Sequence, residues 1–312
     1  MDRRDFLKTV AFVGASTLLL PGCGSQPTAP PSAPPSHAPK TGGAAKASPA
    51  GLIIAQGDDP DGLLERGLAA LGGLEGIVRA GAVVTIKPNF SVPRRPDEAC
   101  TTNPQLVAGL VKRCLEAGAR EVRVVDYPFT SAAIVLEKTG MRQAVNAAGG
   151  KISVISSRDR FQSVDVPGAK VLKSTDYAKD VLEADVFINM PILKHHNMAK
   201  LTMGLKNLMG VVWDRGFFHR TDLHQTIAEL MAVRKPDITI LDAIQGITDN
   251  GPMGPGPIRT YNQVVFGSDP VAVDAYGAQL FGMKPADLEY LRIAAELGHG
   301  ALNWESLSVR KV

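Results

Sequence analysis

The chain has 312 residues, 45% hydrophobic and 21% charged, with 34 basic and 31 acidic side chains and a formal charge of +3. That near-balance leaves no electrostatic footprint for nucleic acid, and aromatics at 5% offer few platforms for stacking bases. Three cysteines without a C-x-x-C pair exclude an iron–sulfur cluster held by this chain alone, since four thiolates are normally needed.

The N-terminus reads MDRRDFLKTVAFVGASTLLLPGCGS. Arg3 and Arg4 precede Phe6, Leu7, Lys8 and an apolar run from Val10 to Leu20, a pattern that resembles a twin-arginine export signal. Eleven residues fall well short of the ~20 that cross a bilayer, so residues 1–22 read as a signal peptide. Leu20-Pro21-Gly22-Cys23 resembles a bacterial lipobox, with Cys23 as the lipidated residue of the mature protein. Pro21 stands where a small residue is usual. Residues 23–50 hold seven prolines from Gly24 onward among Ser, Ala, Thr and Gly, and include His37. Such a segment buries too little apolar surface to offset its ordering entropy, so it reads as a disordered tether. The protein is therefore expected to be exported and tethered to the membrane on the periplasmic or extracytoplasmic side.

Residues 51–312 suffice for one domain with a large core. GLIIAQG (51–57) reads as a buried strand and PDGLLERGLAALGGL (60–74) as an amphipathic helix. GAVVTIKPN (81–89) is a second strand. NPQLVAGLVKRCLEAGA (103–119) is a helix with Asn103 and Pro104 at its start, and EVRVVDYP (121–128) a strand ending near Asp126. ADVFINMPILK (184–194), DITILDAIQG (237–246) and YNQVVFGSD (261–269) follow as β-branched runs. Strands alternating with helices predict an α/β fold: an open, mostly parallel sheet with helices on both faces, in a single domain. Cys114 falls on the apolar face of a helix and reads as a small core residue, while a Cys100–Cys114 disulfide remains the alternative of an oxidising compartment.

Ligands of open α/β sheets bind beyond the carboxyl ends of the strands, and here those ends are polar. Lys87 and Asn89 close one strand, Asp126 the next, and Lys194-His195-His196-Asn197 another. Asp242 closes a fourth, and Ser268 and Asp269 a fifth. If the strands are parallel, these groups share one cleft. Downstream lie Lys206, Asn207, Arg215, His219, Arg220 and His224, so four of six histidines fall within thirty residues. Two readings stay open. Histidines at 196, 219 and 224 could hold a divalent metal, although their spacing matches no zinc signature. Alternatively, Lys194, Lys206, Arg215 and Arg220 form a cationic pocket for a small anion. The loop DNGPMGPGP (249–257) would let backbone approach a ligand. Asp269 before Pro270 suits a helix N-cap, and Asp274 follows as a cap or site residue.

Taken together, VTIKPNFS, TTNPQLVAGLVKRCLEAGAREVRVVD, INMPILKHHNMAKLTMGLKNLMGVV, DITILDAIQGITDNGPMG and GSDPVAVDAYGAQLFG resemble the family called domain of unknown function 362, over nearly all of residues 80–300. The resemblance implies that Lys87, Asn89, Lys194, His196, Lys206 and Asn207 share a site. Relatives often carry a fused ferredoxin-type domain, a pattern from which this sequence departs.

Two functions follow as expectations. In the first, the protein is an enzyme acting on a small anionic substrate. His195 or His196 provides acid–base or metal chemistry, Lys194 and Lys206 hold the anion, and Asp242 orients a partner. In the second it is a non-catalytic lipoprotein that captures an anion or metal, with Lys87, Asn89, Asn207, Arg215, Arg220 and Asp274 as binding groups. Expected partners are the twin-arginine translocase, the membrane through Cys23, the anionic ligand and a separate redox protein.

Overall fold

The computed structural model describes residues 51–312. The expected export signal and tether, with Cys23 and His37, lie outside the described residues. In chain order, β1 (Gly51–Gln56) leads to α1 (Pro60–Leu71), β2 (Val83–Pro88) to α2 (Pro104–Glu116), and β3 (Glu121–Asp126) to α3 (Ala132–Lys138) and α4 (Met141–Ala147). β4 (Lys151–Val154) precedes a hairpin of β5 (Phe161–Asp165) and β6 (Ser174–Ala178), then α5 (Lys179–Leu182) and β7 (Val186–Met190). A second hairpin, β8 (Lys194–His196) with β9 (Lys200–Thr202), leads into α6 (Gly204–Asn207), α7 (Arg215–Arg220) and α8 (Leu223–Leu230). β10 (Ile238–Ile247), β11 (Ile258–Gly267), α9 (Pro270–Phe281), α10 (Glu289–Glu296) and β12 (Ser308–Lys311) follow.

Three long helices begin alike. Asp59, Asn103 and Asp269 each stand before a proline and accept from the backbone N–H of Gly62, Gln105 and Ala272. The cap oxygen satisfies an orphan donor, and proline has the right φ and no N–H to lose at the first helical position.

The main sheet runs β12-β1-β11-β10-β7-β2-β3-β4. The run β10-β7-β2-β3-β4 is parallel throughout, as is β1 with β12. β11 is antiparallel to both its neighbours. From β2 the chain moves outward through β3 and β4, then returns to β7 on β2's other side. Topology therefore reverses between β2 and β7, where open sheets place ligands.

Side chains alternate across the sheet. Val84 and Ile86 of β2 pack with Leu63 of α1, Leu110 of α2 and Val145 of α4 in one core layer. Phe187 and Leu241 pack on the other face with Ile227 of α8, Val271 of α9 and Leu291 of α10. The parallel sheet covered on both faces agrees with the expectation from sequence.

Two details differ from the sequence reading. β11 runs backwards, so Ser268 and Asp269 lie at the sheet's opposite end, away from the other polar strand ends. Asp269 caps α9 and also accepts from Ala301 N. The strand read through Lys194 stops at Met190, because Pro191 has no N–H for the ladder. One bridge from Ile192 to Asp242 continues the pairing before the chain turns into β8. Cys100 and Cys114 are buried free thiols, and burial pushes Cys114 up to about 12.

Candidate functional site: a cationic cavity beyond β2, β3 and β7

A cavity of about 240 Å³ lies beyond the carboxyl ends of β2, β3 and β7, closed over by the β8–β9 hairpin, α6 and the loop carrying Pro252. Lys87, Asn89, Asp126, Lys194, His196, Lys206, Asn207, Arg215 and His219 all line it. Apart from Asp126, the ionised side chains among them are cationic.

The donors of these cations are unequally engaged. Lys87 Nζ, carried on the penultimate residue of β2, reaches Asp126 Oδ1 at 2.8 Å, the Pro88 carbonyl at 2.6 Å and Asn207 Oδ1 at 3.0 Å. An ammonium has three N–H bonds, so Lys87 is saturated. Burial lowers its pKa, opposed by Asp126. Lys194 Nζ likewise meets the carbonyls of Cys100 at 2.6 Å and Pro252 at 3.1 Å and Asn89 Oδ1 at 3.3 Å. Burial brings it down to about 8. Lys194 thus ties three segments together and has no donor left for a ligand.

Lys206 differs. It is 9% exposed, lines the cavity, and its Nζ has no hydrogen-bond or ion-pair partner among the described residues. Burial first, then Lys194, Arg215 and Lys87, bring its pKa to about 7. Arg215 donates to the carbonyls of Tyr127 at 2.8 Å and Pro128 at 3.5 Å, and its guanidinium stacks 4.1 Å from the Tyr127 ring centroid.

Position 206 is set by its neighbours. Asn207 accepts from Lys87 Nζ and Asn89 Nδ2 and donates to the Lys87 carbonyl and Asn189 Oδ1, using its whole amide inventory. Asp274, reaching over from α9, accepts from Gly204 N at 2.6 Å and Leu205 N at 2.9 Å and so caps the single turn of α6. Burial raises this carboxyl to about 7 against the pull of those two donors. A Cβ on Gly210 would lie 2.5 Å from both Asp126 Oδ1 and Lys87 Cε, so the last glycine of GLKNLMG admits the buried ion pair.

The paired histidines separate because β8 is a strand, whose successive side chains face opposite ways. Lys194 and His196 turn into the cavity, while His195 turns out of it and accepts from Gly251 N at 3.0 Å through Nδ1. His196 Nδ1 accepts from Met198 N at 3.1 Å and Ala199 N at 3.2 Å. Its hydrogen therefore sits on Nε2. Burial, then Lys206 and Lys194, lower its pKa to about 2, so the ring is neutral.

Several residues expected at the site lie elsewhere. Asp242 is buried but does not line the cavity; it accepts from Asn103 N at 2.8 Å and Ile244 N at 3.1 Å, and burial raises it to about 6. Arg220 is exposed and pairs with Asp214 at 2.9 Å, outside the cavity. Asp274 acts on the site only through α6. His224 lies 3.8 Å from Glu289 and stacks on Tyr290, away from His196 and His219. The expected metal triad is therefore not assembled, and among the described residues no group of three His, Cys, Asp or Glu could hold a metal ion. His196 is also the wrong tautomer: ligation at Nε2 would move its hydrogen to Nδ1, against two backbone N–H groups.

The cavity also has members that the sequence did not single out. Thr202 lines it with a buried Oγ1 that has no hydrogen-bond partner. Ser91, Phe129, Met198 and Met253 complete its wall and mouth. Asp126 was visible only as a strand end. Its place opposite Lys87 needed the β2–β3 register.

Comparison with known proteins agrees with this picture at the level of family and fold. Thylakoid-associated protein sll1697 of Synechocystis sp. is 29% identical over 239 residues, covering 74% of this chain and 73% of its own. The lactate racemase apoprotein from Thermoanaerobacterium thermosaccharolyticum superposes with a TM-score of 0.50 at 12% identity, over 75% of this chain. This chain spans 57% of that solved chain, and the likeness is one of fold. Residues 84–279 match the family model described as domain of unknown function (DUF362), and the chain belongs to that family.

Proposed function

We propose that this DUF362 protein is an enzyme acting on a small anionic substrate, with Lys206 as its acid–base residue. The observation that carries the reading is the buried Lys206 amine, unpartnered among the described residues and aimed into a cavity whose other lysines are saturated. A buried cation without a counter-ion is costly, and an anion supplies one. Arg215 and the Nε2–H of His196 are the further donors, and Thr202 Oγ1 an additional polar contact. With a pKa near 7, Lys206 is half neutral at neutral pH, where an amine both takes and returns a proton efficiently. His196 serves as a hydrogen-bond donor, a role its neutral tautomer supports.

The second reading is a non-catalytic lipoprotein that captures the same anion. The departure of Asp242 and His195 from the cavity favours it, since it needs no further proton carrier. Export through a twin-arginine signal and anchoring at Cys23 belong to both readings. The relative named for thylakoid association is in keeping with a membrane-associated place. The structural neighbour is named for a racemase of a small hydroxycarboxylate, yet the cavity and not that likeness carries the proposal.

The test is calorimetric titration with acetate, whose charge is constant over the range, from pH 6 to 9. An anion favours charged Lys206, so affinity is level below pH 7 and falls above it, by up to tenfold per pH unit. Lys206→Met should weaken binding at pH 6.5 by tenfold or more and remove the pH dependence. Equal affinity in both proteins would reject Lys206 as the binding and reacting group. Turnover of a bound anion, lost in Lys206→Met, separates enzyme from binder.

A further inference from the structure

Three of the large hydrophobic side chains that stand exposed among the described residues gather at the mouth of this one cavity. Phe129 is 52% exposed, Met198 51% and Met253 46%, and all three line it together with the cations below. Ile134, Ile258 and Val309, also exposed, do not.

The mouth is held in place from beneath. Phe129 N donates to the Ser91 carbonyl at 2.9 Å, and its ring lies 4.4 Å from the Arg215 guanidinium. Met198 N donates to His196 Nδ1 at 3.1 Å, so the residue that fixes the histidine tautomer also stands at the rim. The Met253 carbonyl accepts from Arg94 Nε at 2.9 Å, and the adjacent Pro252 carbonyl from Lys194 Nζ. Each backbone is held by a hydrogen bond, to the Ser91 carbonyl, to His196 or from Arg94, while its side chain stands exposed. Methionine is flexible and polarizable, so two methionines and an aromatic ring make an adaptable apolar collar.

Resting on the anionic-substrate reading above, we infer that the substrate is an amphipathic organic anion: a carboxylate or phosphate ester whose charged head meets Lys206, His196 and Arg215 and whose apolar arm packs against Phe129, Met198 and Met253. A free inorganic anion would satisfy the floor and leave the collar wet. Burying apolar surface on the arm and the collar together favours the longer ligand.

The experiment is titration of the full chain with acetate, butanoate and hexanoate, and with methyl, butyl and hexyl phosphate, at pH 6.5. Each is repeated on Phe129→Ser/Met198→Ser/Met253→Ser and on the three single variants. In the wild type, each added methylene should tighten binding by about two- to fourfold. In the triple variant the gain should shrink below about twofold per methylene, whatever the change in the affinity for acetate and methyl phosphate themselves. The three side chains are exposed, so the variants are expected to fold; near-ultraviolet circular dichroism checks this, and the single variants carry the test if the triple does not fold. Affinity independent of chain length in the wild type would overturn the inference. It would equally be overturned if the rim changes left the chain-length gain intact but abolished binding to phosphatidylcholine vesicles, which would make the collar a membrane contact. Hexanol binding as tightly as hexyl phosphate would instead defeat the anionic-head reading and leave the collar standing.

Discussion

At the scale of single residues, the site is a problem of donors and partners. Three lysines line one small cavity, and two have their N–H bonds fully engaged by oxygens of the fold. Lys206 alone of the three keeps its amine for a ligand, at a cost to stability. Its pKa is about 7 when folded and near 10.5 when unfolded. Between those values the unfolded chain binds more protons, so stability rises with pH; below pH 7 the whole penalty of the buried charge is present. Lys206→Met is therefore expected to raise the melting temperature most below pH 7, the gain fading toward pH 10. Thermal unfolding at several pH values checks the sign, and a variant less stable at pH 6 would contradict it. The sequence displayed the residue types and even their clustering, yet not which lysine was free. That depended on Asp126, Cys100 and Pro252 arriving from three other segments. The histidine pair was equally opaque. Only the strand geometry of β8 decides that His196 faces in and His195 out.

Among elements, α6 shows how a four-residue helix is held. One turn cannot stand by itself, since nucleation fixes several residues for few hydrogen bonds. Asp274 from α9 supplies the cap, and Asn207 fastens the other end to β2 and β7. Asp274→Ala leaves two buried N–H groups without partners and should destabilise the protein by about 2–4 kcal/mol. Because burial raises this carboxyl to about 7, the folded state binds the extra proton between pH 4 and 7 and the group's contribution falls as pH rises through that window. The loss in Asp274→Ala should accordingly be larger at pH 5 than at pH 7.5, by urea denaturation. The same variant should weaken anion binding, because Lys206 is carried on α6. Alternating apolar runs made the parallel strands and the Asp-Pro and Asn-Pro helix starts readable in advance. The reversal of β11 was not readable: an antiparallel strand buried on both faces carries the same apolar run as a parallel one. The segment from Tyr127 to Glu183 gave no assigned elements in the sequence, and its three short helices, β4 and the β5–β6 hairpin emerged only in three dimensions.

For the whole molecule, the sheet's reversal between β2 and β7 gives the cavity its position, and the two core layers give it a rigid frame. Export and lipid anchoring, proposed from the N-terminal sequence, are open to a direct test. Cys23→Ser is expected to move the protein from the membrane fraction to the soluble extracytoplasmic fraction, and Arg3→Lys/Arg4→Lys to retain it inside the cell. Fractionation of the two variants checks both, and a Cys23→Ser protein still in the membrane would remove the lipid anchor from the account. None of the helices among the described residues is long and apolar enough to cross a membrane. The central claim nevertheless rests on one nitrogen atom. Side-chain NMR of the lysine Nζ, assigned with Lys206→Met, measures its titration directly, with and without hexyl phosphate. The account predicts a midpoint near pH 7 in the free protein that moves upward by a unit or more on binding. A Lys206 that titrates near 10 and ignores the ligand would contradict it.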